Sequence, residues 1–89
     1  MAKQACIHIN LSISEYNRAI KQSNPKDKSK LLNEAYIELR DAVPLAASAA
    51  GNDSRWQALS TTVSESARVN EKYLITALKS ECNSVNYEG

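Results

Sequence analysis

Two cysteines and one histidine are the residues in this chain best suited to nucleophilic or metal chemistry. Cys6 and His8 lie two positions apart. On a helix they diverge by about 200°, too far for His8 to act as base to a Cys6 thiolate. Cys6 also falls on an apolar stripe, where a small buried free thiol is expected. Cys82 lies far along the chain, and in an up-down-up bundle it would sit at the opposite end from Cys6. That separation far exceeds the roughly 7 Å a disulfide tolerates. A lone histidine has no His-x3-His partner, and no Asp-rich calcium loop is present. Glu34, Glu38 and Asp41 line one helix face at steps of four and three, the spacing of a solvated row. Phosphate cradles call for Gly-rich loops, whereas Gly51 is the one glycine inside the chain. The sequence therefore predicts no enzyme, no cofactor, no metal site and no small-molecule substrate.

Charge offers a different kind of chemistry. From Arg18 to Lys30 stand five cations, Arg18, Lys21, Lys26, Lys28 and Lys30, against the single acid Asp27, a local charge of +4. The remainder holds six cations and nine carboxylates, or −3, and the whole sums to +1. This corner can steer or orient an acidic partner. Nucleic-acid or other polyanion binding through the same residues is the alternative. It is disfavoured because the segment interleaves no aromatics and lies between long helices rather than a helix-turn-helix pair.

The elements that carry these groups read as helices. Ala2, Ala5, Cys6, Ile9, Ile13, Tyr16 and Ile20 recur at steps of three and four within about 100° of arc, which predicts a helix over 2–23. Ile7, Ile9, Leu11 and Ile13 also alternate with polar residues, so residues 5–13 could form a strand only if another chain paired with it. Asn24-Pro25-Lys26-Asp27 reads as N-cap, first-turn proline and dipole-matched acid of a second helix over 25–50. That helix buries Leu31, Leu32, Ala35, Leu39, Ala42, Val43 and Ala46. Pro44 is expected to kink or break it, and Gly51 to stop it. Asn52 or Asp53 caps a third helix over 53–82, striped by Trp56, Leu59, Val63, Ala67, Leu74, Ala77 and Leu78. Residues 83–89 are expected to fray.

The 89 residues form one helical domain, 1–89, predicted as an all-α antiparallel three-helix bundle. With 18 Leu, Ile and Val, no Phe and 12 Ala, its core is thin. No apolar run of about 7–15 residues follows Lys3, so a secretory leader is not expected, and no run approaches the roughly 20 apolar residues of a membrane span. A cytoplasmic protein without a membrane partner is expected. Ile7 and Leu11 stack four apart, nearly opposite the buried stripe, and Ile37 points away from Leu31 and Leu39. These three form a candidate docking face for another protein or a second copy of this chain. Asn70, in mid-stripe of the third helix, is expected to be a buried register-setting amide or to meet water where the bundle is open. The function this supports is non-enzymatic protein–protein docking, as an adaptor, inhibitor or assembly factor, with a homodimer through the same patch as one form of it.

Overall fold

The computed structural model describes residues 2–88, with side chains described for residues 2–83. Four helices occur in order: α1 (Ala2–Ala19), α2 (Pro25–Asn52), α3 (Gln57–Ser64) and α4 (Ile75–Glu88). Short 3₁₀ turns at Ser54–Trp56, Glu65–Ala67 and Glu71–Tyr73 join the later elements. No strand occurs among the described residues, and residues 5–13 are helical. No helix among the described residues is long and apolar enough to cross a membrane.

The first two helices form a long hairpin. α1 stops at Ala19, short of the expected 23, because its last turn tightens: Lys21 N–H donates to Arg18 O and Gln22 N–H to Ala19 O. Asn24 then caps α2, its Oδ1 accepting from Lys26 N–H at 2.9 Å, with Pro25 in the first turn. Pro44 does not break α2, which continues for 28 residues through Asn52. At 1.5 Å per residue this is about 42 Å, and α2 sets the long dimension of the molecule, also 42 Å. Gly51 is helical rather than a stop. The boundary falls at Asp53, whose extended backbone ends α2 while its carboxylate accepts from Arg55 N–H at 3.0 Å and caps the next turn.

The predicted third helix is two helices. Asn70 adopts φ −60°, ψ 138° and caps the Glu71–Tyr73 turn, its Oδ1 accepting from Lys72 N–H at 3.1 Å. Between Val63 and Leu74 few apolar side chains fall on the stripe, so continuing the helix would bury little, while the Asn70 side chain takes up a backbone N–H, that of Lys72, outside the helix. Three pairings then fix the direction of α4. Glu71 meets Ser12, Thr62 meets Glu81, and Cys6 is joined to Cys82. α4 therefore runs back antiparallel to both α3 and α1. A three-helix up-down-up topology gives way to a short helical hairpin laid on a longer one, and α4 is helical through Glu88 rather than frayed from residue 83.

The core lies between these hairpins. Ile9, Leu39, Leu59, Val63 and Leu78 are its largest fully buried apolar side chains, surrounded by alanines such as Ala5, Ala42 and Ala46. Each of those five contributes about 1.5–3 kcal/mol relative to exposure, a modest sum for ordering a chain of this length. The Cys6–Cys82 disulfide, which the straight-helix reading excludes, closes on this core with its Cα atoms 5.6 Å apart. Neither cysteine is a free thiol.

Candidate functional site

The short hairpin covers only part of the long one. Its turn, residues 65–74, reaches the level of Ser12 and Ala35, and beyond it α1 and α2 project without a third layer. This leaves a cleft of about 230 Å³. Tyr16 of α1 and Leu32, Tyr36 and Leu39 of α2 form its walls, and Val69, Asn70 and Glu71 of the turn close one end. Ile20 follows Tyr16 by one turn, just past the end of α1, and Lys28 stands one turn from Leu32 on α2, so both lie between the cleft lining and the hairpin tip. Ile20, Leu32 and Tyr36 are exposed, Ile20 at 53%. The stripe reading places Ile20 and Leu32 in the core; they are uncovered because the chain turns back at Asn70. Asn70 itself is exposed and serves as a turn cap, not as a buried register residue.

Arg18, Lys21, Lys26, Lys28 and Lys30 cluster at this tip, all exposed or half-exposed and none in an ion pair among the described residues. Arg18 suits the negative end of α1. Lys26 and Lys28 stand in the first turn of α2, where the helix dipole disfavours cations by roughly 0.3–1 kcal/mol each and Asp27 is the only acid. Local stability alone would place acids there.

Ile7 and Leu11 are 52% and 49% exposed, and Ile37 is exposed as well. They flank a pair that the sequence did not announce: His8 Nδ1 and Glu38 Oε2 lie 2.8 Å apart, joining α1 to α2 across a separation of 30 residues. This is the orienting acid for His8 that the local sequence lacks, but Cys6 is locked in the disulfide and supplies no nucleophile beside it. Glu34 and Glu38 are half-buried at the helix seam, unlike exposed Asp41, so the acidic row is only partly a solvated face. Glu15 across the seam has its carboxyl pushed up, first by partial burial and then by a hydrogen bond with Glu34 and that residue's charge. Among the described residues no three His, Cys, Asp or Glu side chains converge on a metal position.

The buried chemistry lies at the closed end of the cleft. Ser12 is fully buried; its Oγ is 2.5 Å from Ala35 O and 2.9 Å from Glu71 Oε2. A hydroxyl has one proton, and a backbone carbonyl can only accept. If Ser12 donates to Ala35 O, the Glu71 contact is satisfied only when Glu71 is a carboxylic acid donating to Ser12 Oγ. Burial acts in the same direction. It pushes the Glu71 carboxyl up to about 7, outweighing the lowering that a Ser12 hydroxyl donating to the ionised carboxylate would give; the Glu15 charge adds to the rise.

A similar unit joins α3 to α4. Thr62 Oγ1 lies 2.9 Å from Ala58 O and 3.1 Å from Glu81 Oε2, while Glu81 Oε1 is buried without a hydrogen-bond partner among the described residues. Burial pushes this carboxyl up too. Nothing local in the sequence marks Glu71 or Glu81, since the partner of each lies on a different helix. Comparison of the chain with protein-family models, curated proteins and solved structures finds no match.

Proposed function

We propose that the protein is a non-enzymatic docking module whose long hairpin binds another protein. The observation that carries this reading is the apolar surface left on α1 and α2, with Ile7, Leu11 and Ile37 on one side and Ile20, Leu32 and Tyr36 along the cleft. Exposed aliphatic side chains are ordinary singly; rows of them on a protein short of core residues support a binding role. The cations at the tip supply orientation and a faster encounter with an acidic partner. The disulfide supports a working location in an oxidising compartment over the cytoplasm.

Two other readings share these surfaces. Self-association through Ile7, Leu11 and Ile37 would give a homodimer. Polyanion binding is favoured by one observation, the five cations without ion-pair partners among the described residues. The test is capture from native extract without reducing agent, comparing wild type, Leu11→Asp and Leu32→Asp, together with the solution mass of each. Both substituted positions are exposed, so the fold should persist. A partner lost on either substitution and retained on raising salt from about 50 to 200 mM supports docking. A mass that falls to the monomer with Leu11→Asp identifies the homodimer. An unchanged mass with identical captured proteins in all three would refute the reading.

A further inference from the structure

The cleft allows the partner's chemistry to be specified, an inference that rests on the docking reading. We infer that the cleft seats an acidic amphipathic helix, its apolar stripe on Ile20, Leu32 and Tyr36 and its carboxylates toward Lys21 and Lys28. The basis is charge complementarity joined to an uncovered apolar track. Tyr36, Leu32 and Lys28 succeed one another at four-residue steps along α2, and Ile20, just past the end of α1, follows Tyr16 at the same step with its N–H donating to Tyr16 O. An apolar floor thus passes into a cationic end within about 12 Å, the length of roughly two helical turns. A helix with leucines at i, i+3, i+4 and i+7 presents a stripe of this kind. An acidic flank would meet lysines that have no ion-pair partner among the described residues and that stand in or near the first turn of α2 despite its dipole.

Glu71, at the opposite end of the cleft, makes such binding depend on protons. The groups that face it are Glu15 and Tyr16 from α1, Tyr36 from α2, and Lys72 on its own turn, whose ammonium lies over the Tyr73 ring. Among the described residues no cation from α1 or α2 pairs with its carboxyl to hold it ionised. Ionised, Glu71 places a carboxylate at the end of an apolar cleft and repels an acidic occupant; protonated, it donates to Ser12 and does not repel. A carboxyl titrating at about 7 that must be neutral for binding makes affinity about tenfold weaker at pH 8 than at pH 6.

The test uses the full oxidised chain and two labelled helical peptides of that leucine spacing, one flanked by glutamates and one by lysines, monitored by fluorescence anisotropy. The glutamate peptide should bind at pH 6. Leu32→Asp and Lys28→Glu should each weaken it at least tenfold with helical circular dichroism unchanged, and Glu71→Gln should flatten its pH dependence. Heparin is the polyanion control: a site of five cations should lose on the order of 500-fold in heparin affinity between about 50 and 200 mM salt, and Leu32→Asp should not affect it. The inference is overturned if neither peptide binds, if the lysine peptide binds as well, or if Leu32→Asp leaves glutamate-peptide binding intact. A natural partner lost with Leu11→Asp but kept with Leu32→Asp would overturn this inference while leaving the docking reading standing.

Discussion

Replacing Glu71 with glutamine should remove a pH dependence from the stability of the fold. The carboxyl titrates at about 7 in the folded chain against 4.5 for an unperturbed glutamate. Between these values the folded state holds the proton more tightly than the unfolded state, so stability falls as pH rises. The contribution is fully present below 4.5 and is lost as pH passes through 7. For a fully enclosed group the loss would be about 3 kcal/mol. Glu71 opens partly onto the cleft, and solvent screening reduces this to about 1–2 kcal/mol. Glutamine keeps a donor for Ser12 Oγ and does not ionise. Urea unfolding of wild type and Glu71→Gln at pH 5 and pH 8, extrapolated to water, gives the difference directly. Wild type should lose about 1–2 kcal/mol more than the variant over that interval, or roughly 5–15 °C in Tm. Glu81, whose carboxyl is also pushed up, titrates in both proteins and cancels in the comparison. Equal losses in the two proteins would refute the proton count at Ser12.

The disulfide closes a loop with a sequence separation of 76 residues, for which loop-closure entropy corresponds to about 4.5 kcal/mol. Cys6→Ala with Cys82→Ala should lose most of that in urea unfolding; two alkylatable thiols in the unreduced native protein would show the bond does not form. Gly51 is helical without a positive φ, and a Cβ there meets nothing within 4 Å. Gly51→Ala should therefore stabilise by roughly 0.5–1 kcal/mol in the same assay, and a loss would show that α2 ends earlier.

Periodicity makes the all-helical class legible, along with the cap at Asn24 and the burial of Ile9, Leu39, Leu59 and Leu78. These features are local, or depend on one face of one helix. The reversal between residues 65 and 74 is not legible in the same way. Apolar residues on both sides of the segment keep helical phase, so the stripe looks continuous across it. The signal that could have found it is Asn70 before Glu71, a cap and a first-turn acid as at Asn24 and Asp27. In a stripe Asn70 reads as a polar intrusion, although asparagine is better suited to starting a turn than to occupying mid-helix. The larger departures all stem from this one position: the excluded disulfide, the core places given to Ile20 and Leu32, and the unseen partners of Ser12 and Thr62. The early end of α1 and the continuation of α2 past Gly51 are boundary effects of about a turn or less.

The same reversal links stability to function. A continuous helix over 53–82 would have covered α1 and α2 along their length and carried Cys82 roughly 40 Å from its start, away from Cys6. Turning back shortens the third layer, and the apolar area lost from the core reappears as the open cleft beside Ile20, Leu32 and Tyr36. What the fold gives up in burial it regains in part through the Cys6–Cys82 cross-link and through two half-buried hydroxyl–carboxyl contacts, Ser12 with Glu71 and Thr62 with Glu81. Those contacts hold the short hairpin by protons and the cross-link holds it by electrons. Both are interactions that solution conditions can remove, pH by ionising Glu71 and Glu81 and a reductant by opening the cross-link. Straightening the turn, for instance by Asn70→Ala with Ser66→Ala, would add helix propensity locally yet oppose the disulfide. The cross-link should then form more slowly on oxidative refolding, timed by loss of free thiols; an unchanged rate would show that the reversal is not what brings the cysteines together.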